Sequence, residues 1–470
     1  MTFSIAGKKT PVVLSCPSGS LICHKILRHL PGKRIVFKAA CEDEPVIVKC
    51  FIGKWARRHY LRELRGTKAL IRSGIATAEL FFHGKAIYQN QKNHKIHVVV
   101  TRFINASANF SQLWAQNLSD NQRLIWLYRV VRMLGQLYMS GAIPVDIHTD
   151  NLLVCDQHLC LIDGGGIIVN RRLSTDKKIS RKKALDNFVL FISVLAPRYE
   201  KFVHKMYLAL THYIPEYAGI SLQHLILKIH KKRKWRERYL EKTLRSCSDF
   251  IAKKQHNRFE VVQRAFDSPE LQTLLSDPDK AISAGQLIKQ GRTNTVALIH
   301  INNRSFIIKR YKSNKRFRQI KMLQKSRART AWQGAFLLKM LDINTPEPLA
   351  LLEQRWGPLV KCSYLILEYI PGIQLTEYFK EKSNWFDGCG QVVDQIKDIL
   401  SSLERSWIAH RDLKATNFLV LQKKVFLIDL DSLHSCKTIK QYNPLWEKDC
   451  ERFMKNWQHN QDVAALFHST

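Results

Sequence analysis

His410-Arg411-Asp412-Leu413-Lys414-Ala415-Thr416-Asn417-Phe418-Leu419-Val420, with Leu427-Ile428-Asp429 a few residues on, sets two carboxylates and an amide at fixed steps along apolar, β-like runs. A second stretch echoes it: Val145-Asp146-Ile147-His148-Thr149-Asp150-Asn151-Leu152-Leu153-Val154, leading to Leu161-Ile162-Asp163. In both, the Asn follows the first Asp by five residues and the last Asp follows it by seventeen. Two agreeing intervals with matching apolar flanks mark an internal repeat.

Upstream of each stretch lies a β-like run that carries a lysine, Val46-Ile47-Val48-Lys49-Cys50-Phe51 and Phe306-Ile307-Ile308-Lys309-Arg310-Tyr311. A helical segment follows and ends in an Ile-x-Thr turn, at Ile75-Ala76-Thr77 and Ile343-Asn344-Thr345. The copies then diverge. Glu63 stands on the first helical segment twelve residues before Ile75, whereas the matching position in the second copy is Ala331. The first copy in turn has Pro144-Val145 where the second has His410-Arg411. Glycine is scarce in the turns before the lysine strands, with only Gly291 in Lys289-Gln290-Gly291-Arg292-Thr293-Asn294 and only Gly32 in Leu30-Pro31-Gly32-Lys33-Arg34. Backbone contact to a phosphate there rests on a short β-turn.

This order of residues is what phosphoryl transfer asks of a protein, which supplies positioning more than covalent chemistry. Lys309 and Lys49 are candidates for holding the α- and β-phosphates of ATP, with Gly291 in the turn before one and Glu63 anchoring the other. Asp412 and Asp146 are candidates for orienting an acceptor hydroxyl and taking its proton. Asn417 with Asp429, and Asn151 with Asp163, offer amide and carboxylate oxygen to Mg2+, a hard cation that prefers oxygen ligands. In the second copy Leu365-Ile366-Leu367-Glu368-Tyr369-Ile370-Pro371-Gly372 reads as strand and hinge, and the backbone from Glu368 to Ile370 would meet adenine. Alone, a strand-edge lysine is usually a solvated cation and an Asp before Leu a turn residue. Unrelated structural needs would not reproduce their joint order twice. Asp186 and Asp449 are read either as buried supports of the loop that carries the catalytic Asp or as solvated helical acids.

A length of 470 residues suits two cores better than one. Turn formers at Asp267-Ser268-Pro269-Glu270 and Ser276-Asp277-Pro278-Asp279 place the boundary near 275, giving domains 1–274 and 275–470. Lys and Arg number 75 against 39 Asp and Glu, a formal net charge of +36, so the chain must find anions. The densest cationic run, Lys231-Lys232-Arg233-Lys234-Trp235-Arg236, lies in a segment read as one basic helix from Lys228 to Arg245. That helix is either solvated or set along lipid headgroups with Trp235 and Tyr239 at the interface. Met1 to Pro17 lacks the pattern of a secretory signal, and the longest apolar run, Phe188 to Ala196, is short for a membrane span. The 11 cysteines contain no C-x-x-C pair and read as reduced cytosolic thiols rather than a zinc site or disulfide framework.

Through these residues the chain resembles the lipopolysaccharide kinase family, the Kdo and heptose kinases of bacterial inner-core assembly. The resemblance is clearest over about 285 to 457: Arg327-Ala328-Arg329-Thr330-Ala331-Trp332, Ile343 to Leu351, the Glu368-Tyr369-Ile370-Pro371-Gly372 hinge, the His410 to Lys414 run, and Ile428-Asp429-Leu430-Asp431. Residues 25 to 195 match more loosely. With the repeat, it implies an α+β fold of two tandem minimal protein-kinase-like domains, each a small antiparallel-sheet N-lobe and a mainly helical C-lobe. It further implies ATP as donor and a sugar hydroxyl of an anionic glycolipid as acceptor. The expected location is cytoplasmic and peripheral at the inner membrane, with no specific nucleic acid as partner. Only 41 residues follow Asp429, too few for an activation loop and peptide-docking helices, which disfavours protein substrates. The alternatives are a tandem pseudokinase scaffold binding anionic membrane or nucleic acid, or an atypical protein kinase.

Overall fold

The computed structural model describes residues 11–88, 94–116, 118–145, 147, 149–169, 178–233, 235–312, 325–357, 359–381 and 389–467. The chain divides into two compact units, Met1–Ile192 with Lys201–Ile229, and Ser193–Glu200 with His230–Thr470. It therefore passes from one unit to the other at three places. Strand pairing corrects the single boundary expected near 275. Strand Phe250–Lys254 pairs with Arg258–Gln263, which pairs with Pro348–Trp356, so residues well before 275 complete the second unit's sheet. The turn formers near 275 are helix caps instead: Ser268 caps Pro269–Ser276 and Asp277 caps Pro278–Ala284, each followed by the proline that suits a first helical turn.

In the first unit six antiparallel strands close into a barrel, in the order Val12–Cys16, Gly19–Leu30, Arg34–Cys41, Glu44–Phe51, His94–Arg102, Leu80–Tyr88. The side-chain period of two places Val46, Val48 and Cys50 inside the barrel. Lys49 and Phe51 fall on the outer face, where helix Ala56–Arg72 packs Tyr60 and Leu64 against Phe51. The small antiparallel sheet expected here is closed into a barrel, and closure covers the inner face without a further layer. The unit continues with helices Asp120–Met139, Arg181–Val194 and Val203–Tyr213 and the hairpin of Leu152–Cys155 with His158–Leu161.

In the second unit seven antiparallel strands form an open sheet in the order Phe250–Lys254, Arg258–Gln263, Pro348–Trp356, Leu359–Glu368, Arg304–Lys312, Asn294–Ile301, Gln286–Gln290. Phe306 and Ile308 point to one face, under Leu271, Leu274, Leu275 and Ile282 of the two capped helices. The alternation sends Lys309 and Tyr311 to the other face, covered by helix Arg327–Met340. Helices Cys389–Arg405, Ile439–Lys455 and Gln461–Phe467 also belong to this unit. The first of these buries Val392, Ile396, Ile399 and Leu403 at helical spacing.

The basic segment forms two helices, Leu222–Arg233 and Trp235–Lys242, rather than one. Arg233 and Arg236 are buried, Arg233 is ion-paired with Glu200, and Tyr239 packs against the second unit's core. Part of the run is thus spent inside the fold and only Lys231 and Lys232 stay exposed between residues 230 and 233; the Trp235 side chain lies outside the described residues. Among the described residues no helix is long and apolar enough to cross a membrane.

Trp332 is 0 % exposed. Its indole Nε1 donates to Thr243 O at 3.2 Å and Thr243 Oγ1 at 3.1 Å, and its ring meets Phe250 and Phe336 edge-on. Trp332→Ala should therefore lower the stability of the second unit by ~3–5 kcal/mol in urea unfolding followed by circular dichroism. An unchanged midpoint would show that this cluster does not hold the unit together.

Candidate active site

In the second unit the hairpin of Phe418–Leu421 with Lys424–Leu427 ends on two backbone bonds, Leu427 N–H to Asn344 O at 2.9 Å and Ile428 N–H to Asn417 O at 2.8 Å. The first ties the hairpin to the turn after helix Arg327–Met340, and the second folds it back on its own start. The chain then turns at Asp429, whose φ of 62° is left-handed, a region Asp tolerates better than most residues. Its carboxylate Oδ1 meets Lys309 Nζ at 3.2 Å. Asn417 Nδ2 donates to Asp412 O at 2.8 Å, which commits the amide nitrogen and leaves the amide oxygen as a ligand. Lys309, Asp412, Asn417 and Asp429 are thus brought together.

The loop that carries Asp412 is pinned from below. Asp449, 0 % exposed, accepts Arg411 N–H at 2.8 Å and Leu413 N–H at 3.4 Å. Arg452 donates to Asp449 Oδ1 at 3.2 Å and to Arg411 O at 2.9 Å. His410 is fully buried, and its Nε2 lies 3.2 Å from Ile428 O, an acceptor, so this nitrogen carries the proton. Burial pushes the imidazole below its ordinary pKa, despite the Ile428 bond and the carboxylates of Asp449, Asp429 and Asp412. Of the two acids read as loop supports, Asp449 is the buried one. Asp186 is half exposed and pairs with Lys228 at 3.3 Å, while its neighbour Asn187 is buried, accepting from the Tyr138 hydroxyl and donating to Pro144 O.

Lys309 and Asp429 line a cleft of about 280 Å³. Its walls are apolar, from Ile288, Val296, Leu367, Leu419 and Ile428, with Glu368, Tyr369 and Ile370 along one side. Apolar faces beside backbone polar groups suit a flat heterocycle. Gly291 does not line the cleft; it closes the turn between two strands, its N–H donating to Asn294 O at 2.8 Å. A larger hollow of about 650 Å³, against Glu237, Glu241, Gln333 and His434, holds none of the candidate catalytic, nucleotide-binding or metal-binding residues.

Ala331, where a helix carboxylate would hold Lys309, is buried against the cleft. Arg327, one turn earlier, supplies a different tie: its guanidinium pairs with Asp431 and lies 5.0 Å over the Tyr311 ring. Ser326 sets that first helical turn, accepting Arg329 N–H at 3.0 Å and donating to buried Glu353 at 2.6 Å. Burial, and then the charge of Asp429, push the Asp431 carboxyl above its ordinary pKa. Burial also acts on Asp429, but the charge and hydrogen bond of Lys309, with the charges of His410 and Lys289, together hold that carboxyl below its ordinary value. The sequence reading assigns neither Arg327 nor Asp431 a role, and the only signal is the second acid in Asp429-Leu430-Asp431.

The first unit repeats the backbone geometry. Leu161 N–H donates to Ala76 O at 3.0 Å, Ile162 N–H to Asn151 O at 2.9 Å, and Asp163 is left-handed with φ 74°. Lys49 Nζ lies 2.5 Å from Glu63 Oε1 and 3.1 Å from Asp163 Oδ1. Arg34, which the sequence shows only as a loop residue, spans Asp163 with Nη1 to Oδ1 and Nη2 to Oδ2 both at 3.3 Å, and reaches Glu63 Oε2 at 3.4 Å. A Cβ on Gly66 would run into Gly164 O, so glycine there lets the helix meet the loop after Asp163. The second unit has Gly334 against Leu430 at the matching place. Asn151 ends the short turn Thr149–Asn151, and Asp146 and His148 lie outside the described residues.

A strand lysine, a hinge beside an apolar cleft, a pinned Asp loop and a left-handed acid fit a kinase-like unit. Residues 288–467 match the Lipopolysaccharide kinase (Kdo/WaaP) family, the resemblance read from the sequence. The match spans less than half of the chain, lies wholly in the second unit, and implies a kinase that uses ATP on a sugar of lipopolysaccharide. Among solved structures, one described as "High resolution (2.2 A) crystal structure of WbdD" has a TM-score of 0.31 and 17% identity over 47% of this chain and 48% of that one. The chain thus spans about half the length of that protein. No curated protein matches it.

Two outcomes follow from the geometry. His410 is held below its ordinary 6.5, so its share of stability is full above that value and is lost as the pH falls through the folded value. Acidification from about pH 7.5 to about pH 5 should lower the melting temperature of the native chain more than that of His410→Gln; parallel slopes would assign the titration elsewhere. Arg327→Ala leaves Asp431 buried without its cation and should lower stability by ~1–3 kcal/mol, with much of the loss recovered when Asp431→Asn is added. Strictly additive losses in chemical denaturation would show that the two do not act as a pair.

Proposed function

We propose that the second unit transfers the γ-phosphoryl group of ATP to a sugar hydroxyl of the lipopolysaccharide inner core, on heptose or Kdo. The observation that carries this reading is the convergence of Lys309, Asp412, Asn417 and Asp429 beside an apolar cleft with a hinge, inside the residues that match the family. Adenine would lie between the apolar walls along Glu368 to Ile370, and Lys309 would hold the α- and β-phosphates.

Asp429 and Asn417 offer one carboxylate and one amide oxygen, and no cluster of three His, Cys, Asp or Glu side chains that could hold a metal gathers among the described residues. So sparse a donor set fits Mg2+, which keeps several waters and takes substrate phosphates as its other ligands. Bound there, magnesium would neutralise charge on the β- and γ-phosphates. Asp412 orients the acceptor hydroxyl and takes its proton on a carboxylate oxygen as the new O–P bond forms and the bond from the γ-phosphorus to the bridging oxygen breaks, releasing ADP; Lys414, at 2.9 Å, steadies that carboxylate.

The acceptor class agrees with the charge. A protein of formal charge +36 draws a glycolipid bearing carboxylates and phosphates by long-range attraction, and work on a lipid-anchored acceptor means peripheral contact with the inner membrane from the cytoplasmic side. We read the two units as two copies of one kinase-like domain. The matched bonds at Ile162 and Ile428, the left-handed Asp163 and Asp429, and the paired glycines Gly66 and Gly334 support this.

Phosphate transfer from labelled ATP to a core glycolipid tests the assignment. Asp412→Asn should lower kcat by ~10²–10⁴-fold and Asp429→Ala should end turnover; full turnover in both variants would remove the second unit from the reaction. Core oligosaccharide from a strain lacking the gene should lose one phosphate by mass spectrometry, and an unchanged core would refute the acceptor class.

A further inference from the structure

The acid that would hold a metal in the first unit is already matched by that unit's own cations. Asp163 has both carboxylate oxygens on Arg34 and one of them also on Lys49. Glu63 has one oxygen on Lys49 and the other on Arg34. The four side chains keep 2% to 20% of their surface, so water screens the pairs little, and the two-point guanidinium grip on Asp163 is the strong geometry for such a pair. Two cations and two carboxylates sum to zero.

The second unit shows what differs. Val36 pairs with Lys49 across the strands and Val296 pairs with Lys309, so the register sets Arg34 against Asn294. Asn294 carries no charge to set against an acid, and its backbone carbonyl accepts the Gly291 N–H. Asp429 is ion-paired with Lys309 alone among the described residues, and Asp431 has its own cation in Arg327. A divalent cation arriving at Asp429 completes an open site. One arriving at Asp163 would meet a fixed guanidinium within hydrogen-bond reach of both oxygens.

We infer that the first unit takes no Mg2+-bound ATP because Arg34 stands where the metal would, and that turnover rests on the second unit alone. This rests on the kinase-like reading of both units. It assigns the first unit to the non-catalytic class and Arg34 to the residue that puts it there.

Equilibrium dialysis of the full chain against the non-hydrolysable ATP analogue AMP-PNP, with Mg2+ or with EDTA, reads the number of sites. One Mg2+-dependent site in the native chain is expected, lost in the Lys309→Met/Asp429→Asn double variant. Arg34→Asn, which installs the residue of the second unit, should raise the count to two. Arg34→Lys keeps a cation but cannot span both oxygens, and it should also gain a weaker second site should the Asn variant fail to fold. Two sites in the native chain, or a site left in the double variant that Asp163→Asn removes, would overturn the inference while leaving the second unit's assignment standing. A folded Arg34→Asn chain that stays at one site would overturn it as well. No site in the native chain would overturn the kinase reading beneath it.

Discussion

The ion pair between a sheet lysine and a left-handed aspartate is the constraint around which each unit is arranged. Lys309 reaches Asp429 because the strand period sends it to the helix-covered face, and because the hairpin that ends at Leu427 is fixed to both Asn344 and Asn417. Neither half works alone. A lysine without the acid would be a buried cation, and an acid without the hairpin would have no reason to adopt a left-handed turn. The pair lies largely out of water, with 12% and 26% side-chain exposure, so losing one partner leaves the other uncompensated.

The two units reach this pair by different means. The first covers the inner face of its strands by closing them into a barrel, and the second leaves the sheet open and covers the same face with two capped helices. They also fasten the helix behind the lysine differently. In the first, Glu63 on that helix grips the lysine itself. In the second the helix has Ala331 there and is fastened one turn earlier, by Arg327 to the acid two residues past Asp429. The first unit has His59 and Gly165 at these two places, so it has no equivalent of the second tie.

What was legible in the sequence is what local chain geometry dictates. The intervals from Asp412 to Asn417 and Asp429 are the dimensions of one loop and one short hairpin, and a fixed structure of that kind leaves a fixed spacing. The lysine strands and the Ile-x-Thr turns were legible for the same reason. Pairings across long separations were not. The strand Arg258–Gln263 joins a partner about ninety residues later, and nothing in its own composition separates it from the preceding helices. Arg34 reaches an acid 129 residues away, and its sequence setting is an ordinary turn. Asp186 and Asp449 look alike as helical acids, and only the tertiary packing buries one and exposes the other. The basic run misled in the same way, since Arg233 is turned inward onto a carboxylate, Glu200, that lies some thirty residues upstream, and Arg236 is buried as well.

The three passages of the chain between units bear on how the protein is made. Residues 193–200 belong to the second unit, yet they leave the ribosome before residues 201–229, which return to the first. The emerging chain must hold an orphaned eight-residue piece, including Glu200, until its guanidinium partners and the distant sheet have been synthesised. Domains that are contiguous in sequence fold in turn as they emerge. Here the order is interleaved, so no single cut between neighbouring residues yields two complete halves, and the gene is bound to inherit, express and lose them together.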